Sequence, residues 1–92
     1  MRRASQNVTS LTLYSRPGCH LCDEMKAVVG RVAARVPLSV IEVDISHDPA
    51  LEALYGLEIP VLTIDDRKIA KYRISEAELT RALVARDLAS DY

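Results

Sequence analysis

Apolar and polar positions alternate from Val8 to Ser15, with Leu11 and Leu13 on one face and Thr12 and Tyr14 on the other, the period of a β-strand. Arg16-Pro17-Gly18 breaks that pattern. Beyond it the apolar period lengthens: Leu21, Met25, Val28, Val29, Val32 and Val36 recur at the spacing of an amphipathic helix that starts near Cys19. Asp23 and Glu24 at its start and Arg31 and Arg35 near its end complement the helix dipole. Gly30 costs it about 1 kcal/mol, and Pro37 stops it.

Leu38 to Ile45 (LSVIEVDI) reads as a second strand, apolar on both faces for much of its length, as in a parallel strand buried between helices. Asp48 as N-cap, Pro49 at the first helical position and Gly56 at the C-terminal cap bound a short helix over Pro49 to Tyr55. The runs VLTI (61–64) and KIAKY (68–72) flank Asp65-Asp66-Arg67, a linker short enough to make a hairpin. Ser75 with Glu78 three residues on is a capping-box pattern, and Leu79, Ala82, Leu83 and Arg86 continue a last helix to Ala89. The order β-α-β-α-β-β-α predicts an α/β fold: a four-stranded mixed sheet covered on both faces by helices, its first two strands parallel across a right-handed crossover. The segment after the first strand then lies at its carboxyl end, the edge where open α/β sheets place their chemistry.

Length and charge narrow the picture. The 92 residues make one domain, 1–92, whose polar start, residues 1–7, is expected to fray. With 49% apolar and 27% charged residues the composition is that of a folded globular chain, so disorder is excluded. A formal net charge of -1, with 12 basic residues scattered among 13 acidic ones, leaves no basic stripe for a nucleic acid. Arg2 and Arg3 precede no apolar signal region, and no apolar run approaches the roughly 18 residues of a membrane span. A cytoplasmic monomer without nucleic-acid or membrane partners is expected.

The chain's two cysteines, Cys19 and Cys22, stand in C-x-x-C spacing, which in a reducing compartment marks a catalytic or metal-binding pair rather than a permanent staple. At a helix start, Cys19 lies near free backbone N–H groups and the positive end of the dipole, and Arg16 adds positive charge. Such surroundings lower a thiol pKa from ~8.5 to between ~3.5 and ~7.5, so Cys19 is the expected attacking thiolate. Cys22, about one turn further in on the same face, is close enough to close a disulfide and deeper, hence the resolving thiol. His20 either tunes the Cys19 pKa when protonated or is a solvent-facing residue with no energetic role. No metal is expected: zinc wants four ligands, and only His20 and His47 could complete the pair. Haem attachment is excluded because Asp23, not histidine, follows Cys22.

YSRPGCHLC (14–22) is similar to the active-site stretch of glutaredoxins and their thioredoxin-fold relatives, and Glu58-Ile59-Pro60 resembles the cis-proline loop that faces that site. The element order agrees over nearly the whole chain. The resemblance implies a glutaredoxin-like thiol-disulfide oxidoreductase, with Cys19 as nucleophile and Cys22 as resolving cysteine. It places Arg16 at a basic position near glutathione, Pro60 in cis, and the Ile59 backbone against the substrate peptide. Proline is the one residue for which a cis bond is cheap. The resemblance further implies electron transport between thiols without a bound cofactor. A disulfide-containing protein or a glutathione mixed disulfide would be the substrate, and glutathione as co-substrate, or a thioredoxin-reductase-like partner, the electron donor. One departure concerns the glycine pair that grips glutathione in glutaredoxins, where this chain has Ala70-Lys71. The second hypothesis is a non-enzymatic redox sensor or adaptor whose Cys19–Cys22 disulfide gates a protein partner. Turnover separates the two.

Overall fold

The structure, a computed structural model, is described over residues 8–89, with side chains through Arg86; the expected fraying of residues 1–7 lies outside the described residues. The elements follow the expected order: β1 (Thr9–Ser15), α1 (His20–Ala33), β2 (Leu38–Asp44), α2 (Pro49–Tyr55), β3 (Val61–Ile64), β4 (Arg67–Lys71) and α3 (Glu76–Ala89). A single 3-10 turn, Ile45–His47, stands between β2 and α2. The strands form one mixed sheet in the order β2-β1-β3-β4, with β1 parallel to β2, antiparallel to β3, and β3 antiparallel to β4.

The alternation in β1 decides how the layers stack. Leu11 and Leu13 pair with Ile64 and Leu62 of β3 on one sheet face. There they meet Met25, Val29 and Val32 of α1 and Leu79 and Leu83 of α3 in one buried cluster. Each of its fully buried leucines stabilises the fold by about 1.5–3 kcal/mol. On the other face Tyr14 meets Tyr55 of α2, ring centroids 4.6 Å apart and tilted by 34°. Asp48 caps α2 by accepting from the N–H groups of Ala50 and Leu51.

The capping box forms as the spacing predicts. The Glu78 N–H donates to the Ser75 hydroxyl at 3.0 Å, and the Ser75 N–H donates back to the Glu78 carboxylate at 2.9 Å. Glu76, in the first turn of α3, accepts from Arg31 at 2.6 Å and Arg35 at 3.2 Å, which ties the end of α1 to the start of α3.

β2 corrects the reading of its apolar run. It is an edge strand, with Val40 and Ile41 43% and 56% exposed, rather than a strand buried between helices. A run such as LSVIEVDI shows a strand but not its place in the sheet, and the two inner places go to β1 and to β3, whose four residues are all buried. The hairpin is also tighter than expected. Its turn is Asp65-Asp66 alone, with φ of 49° and 70°, as a two-residue type I′ turn requires, and Arg67 already belongs to β4. α1 ends at Ala33 before Pro37 is reached, yet Val36 still packs on the core. Among the described residues no helix is long and apolar enough to cross a membrane.

Candidate active site

Strand register gathers the site. Ser15 at the end of β1 pairs with Asp44 at the end of β2, Tyr14 pairs with Val61 at the start of β3, and Val61 pairs with Lys71 at the end of β4. The Cys19 loop, the residues after β2, the Pro60 segment and Tyr72 therefore share one edge of the sheet. Arg16-Pro17-Gly18 turns the chain out of β1, and Gly18 takes φ 78°, a conformation that glycine adopts without a steric penalty. The Cys19 N–H donates to the Arg16 carbonyl at 3.3 Å and closes the turn.

Cys19 is the N-cap of α1, with extended backbone, and its sulfur accepts the Cys22 N–H at 3.1 Å. The sulfur thus sits among the unpaired N–H groups at the positive helix end, where negative charge is stabilised. Cys19 and Cys22 form a disulfide, their Cα atoms 5.2 Å apart. The two ends differ in access: Cys19 is half-buried and Cys22 only 3% exposed. The His20 side chain is 85% exposed, with Nε2 2.8 Å from the Glu24 carboxylate one turn on.

Arg16 is half-buried and donates to the Glu52 carboxylate of α2 at 2.6 Å. That contact and the stacking of Tyr14 on Tyr55 hold α2 beside the motif. Burial, and to a lesser degree the neighbouring Tyr55, push the Tyr14 phenol above its ordinary pKa. Pro60 is buried, follows a cis peptide bond from Ile59, and accepts the Tyr72 N–H at 2.8 Å. Ile59 is half-buried, and no hydrogen bond from another described residue reaches its backbone. Glu58, just before it, accepts from Lys68 at 2.6 Å, which holds its carboxyl below the ordinary range.

The sequence reading missed a second set of polar groups. The Ser15 hydroxyl donates to Glu42 of β2 at 2.9 Å, and Lys26 of α1 lies 3.0 Å from the same carboxylate. The hydrogen bond from Lys26, then that from Ser15, keeps the Glu42 carboxyl below the ordinary range. Both Ser15 and Glu42 line a cavity of about 300 Å³ that reaches Cys22. Only the parallel register, which pairs Leu13 with Glu42 and Ser15 with Asp44, could have drawn attention to them. Among the described residues no three His, Cys, Asp or Glu side chains converge as a metal ion would need.

Comparison with known proteins agrees with this layout. A family model described as a glutaredoxin-like domain (DUF836) matches residues 10–84. A structural-genomics target protein from X. campestris is similar at 36% identity and a TM-score of 0.70, over 82% of this chain and 96% of that one. A protein of Nitrosomonas europaea is similar at 29% identity and a TM-score of 0.65, over 80% of this chain and 89% of that one. The desulfothioredoxin of Desulfovibrio vulgaris Hildenborough shares the fold, with a TM-score of 0.67 at 20% identity over 85% of this chain and 81% of that one. The architecture is the thioredoxin fold.

Proposed function

The chain belongs to the glutaredoxin-like domain (DUF836) family, and from that premise we propose that it is a thiol-disulfide oxidoreductase working through Cys19 and Cys22. The observation that carries the reading is the asymmetric pair: a half-buried sulfur at a helix N-cap, bonded to a buried one three residues on. In the reduced protein the Cys19 thiolate attacks one sulfur of a substrate disulfide, and the other substrate sulfur leaves as a thiolate. Cys22 loses its proton and attacks Cys19 Sγ; the Cys19–substrate bond breaks and the second substrate thiolate departs. Two electrons pass to the substrate, and the protein is left as the Cys19–Cys22 disulfide.

The backbone of Ile59 beside Pro60, without a partner among the described residues, suits an extended substrate segment, which would gain backbone hydrogen bonds there. Arg16 would meet a substrate carboxylate by sharing its guanidinium with Glu52. A dithiol kept ready for turnover fits a reducing, cytoplasmic setting, with glutathione or a dithiol reductase renewing it. His20 would tune Cys19 through charge alone, since its ring pairs with Glu24.

The test is equilibration with graded ratios of reduced and oxidised glutathione, thiol trapping and mass spectrometry. A reversible Cys19–Cys22 disulfide with a potential near about -200 to -230 mV, and a transient adduct on Cys19, is expected of a glutaredoxin role. Cys22→Ser should accumulate mixed disulfides and Cys19→Ser should be inert. Equal residual activity in the two variants would overturn the assigned roles.

A further inference from the structure

Arg16 stands where the chain leaves β1 for the motif, its carbonyl accepting the Cys19 N–H at 3.3 Å. Of the described residues that line the cleft of about 300 Å³ beside Cys22, it alone is basic, and Asp23, Glu42 and Asp44 line the same cleft. An anionic substrate entering there would find its counter-charge in this guanidinium, but the guanidinium is already occupied. The Glu52 carboxylate of α2 accepts from its Nη2 at 2.6 Å, with both side chains 37% exposed.

The fold aims Glu52 at this place. Asp48 caps the start of α2, and Tyr55, three positions after Glu52 and so on the same helix face, stacks on Tyr14, two residues before Arg16. Other cations around the motif are engaged as well: Lys26 with Glu42, Lys68 and Lys71 with Glu58, and Arg73 with Glu24. A substrate carboxylate must therefore displace Glu52 or lie beside it, and either costs Coulomb energy that a neutral or basic substrate does not meet.

Resting on the oxidoreductase reading above, we propose that Glu52 sets substrate choice by occupying Arg16, so that the site favours disulfides flanked by neutral or basic groups over those flanked by carboxylates. Glu52 is a positioning residue and touches no reacting atom. It holds the guanidinium toward α2 and offsets its charge at the cleft. The attack by Cys19 on the substrate sulfur is the same for every disulfide; what differs is how strongly charge beside that sulfur is drawn in or turned away.

Three small disulfides test this. Oxidised glutathione is a net anion with carboxylates on both halves, hydroxyethyl disulfide is neutral, and cystamine is a cation. The reduced protein is mixed with each, quenched with acid, and read by mass spectrometry for the rate at which the dithiol form is lost. Each rate is divided by that for hydroxyethyl disulfide, which cancels any change in the Cys19 thiolate itself. Glu52→Gln keeps the shape of the side chain and removes its charge. Because exposed ion pairs are weak, its relative rate with oxidised glutathione is expected to rise by only about threefold, and that with cystamine to fall. The rise should shrink in high salt. Glu52→Asp, which keeps the charge, should stay closer to wild type than Glu52→Gln does. In an Arg16→Gln background, Glu52→Gln should bring no rise, because no guanidinium is left to release. Relative rates that do not move in Glu52→Gln would overturn the proposal. So would an equal rise in the Arg16→Gln background, since Glu52 would then repel anions by its own charge rather than by holding Arg16. A wild-type protein that exchanges with none of the three disulfides would instead overturn the oxidoreductase reading, and the proposal with it.

Discussion

The hydroxyl of Tyr72 donates to the Leu57 carbonyl at 2.9 Å, while the N–H of the same residue donates to the Pro60 carbonyl at 2.8 Å. One residue past β4 therefore clamps both ends of the segment 57–60. It does so in the left-handed region, at φ 68°, which is costly for a bulky side chain. Tyr72→Phe removes one clamp and keeps the other. With Tyr72 43% exposed, the loss should fall toward the low end of the 0.5–1.5 kcal/mol of an ordinary hydrogen bond, about 0.5 kcal/mol. A rise in KM for a protein disulfide, with kcat held, is expected alongside a fall in Tm of about 2–4 °C, and calorimetry with steady-state kinetics checks both.

Gly18 offers a cleaner backbone test. A Cβ at this position would meet no atom within 4 Å, so the cost of Gly18→Ala lies in its φ of 78° alone. The expected loss is about 1–2 kcal/mol in urea unfolding, and Gly18→Asn, whose short polar side chain tolerates the left-handed region, should lose less. Equal losses would show that contacts rather than conformation hold this turn.

The motif residues and the layers were legible because local chemistry marks them. Arg16-Pro17-Gly18, the Ser75–Glu78 box and the Asp48–Pro49 start each carry their own geometry, and each forms where its residues stand. What local pattern does not carry is lateral position. LSVIEVDI and VLTI look alike as strands, yet one lies at the edge and the other at the centre, because β3 returns to pair with β1 on the side away from β2. Glu42 was invisible for the same reason: its meeting with Ser15 and Lys26 exists only once β2 lies parallel to β1 and α1 crosses above. Tyr72 reads in sequence as the end of a strand, and only the left-handed turn after Lys71 makes it a brace for the Pro60 segment.

Thr63 carries a local conflict. It is 2% exposed in the central strand β3, and its hydroxyl finds no hydrogen-bond partner among the described residues. A buried polar group left unpaired costs about 1–3 kcal/mol, whereas a methyl of the same shape costs nothing. Thr63→Val is therefore expected to raise stability by about 1 kcal/mol, and Thr63→Ser, which keeps the hydroxyl and loses the methyl, to lower it by a similar amount. Urea unfolding of the reduced protein reads both, and a destabilised Thr63→Val would reveal a partner for the hydroxyl.

Acid should loosen the joint between α1 and α3 before the core itself fails. Arg31, followed by Arg35, holds the Glu76 carboxyl below its ordinary value of 4.5. Its folded pKa is depressed, so its contribution is fully present above the unfolded value and is lost as pH falls through the folded one. The same sign applies to Glu42, held down first by Lys26, to Glu58, held down first by Lys68, and to Glu78, held down first by the Ser75 backbone. As far as these carboxylates govern it, Tm should stay flat from neutral pH to about 5 and decline below, toward and past their folded values. Glu76→Gln cannot ionise, so it should start slightly lower at neutral pH and decline less steeply in acid, the two curves converging as the wild-type carboxyl protonates. Because these pairs are exposed, the gap at neutral pH should be small and should narrow further in high salt. A Glu76→Gln curve running parallel to wild type over the whole acid range would mean that the joint is held by Leu79 and Leu83 packing on the core, with no share for the ion pairs.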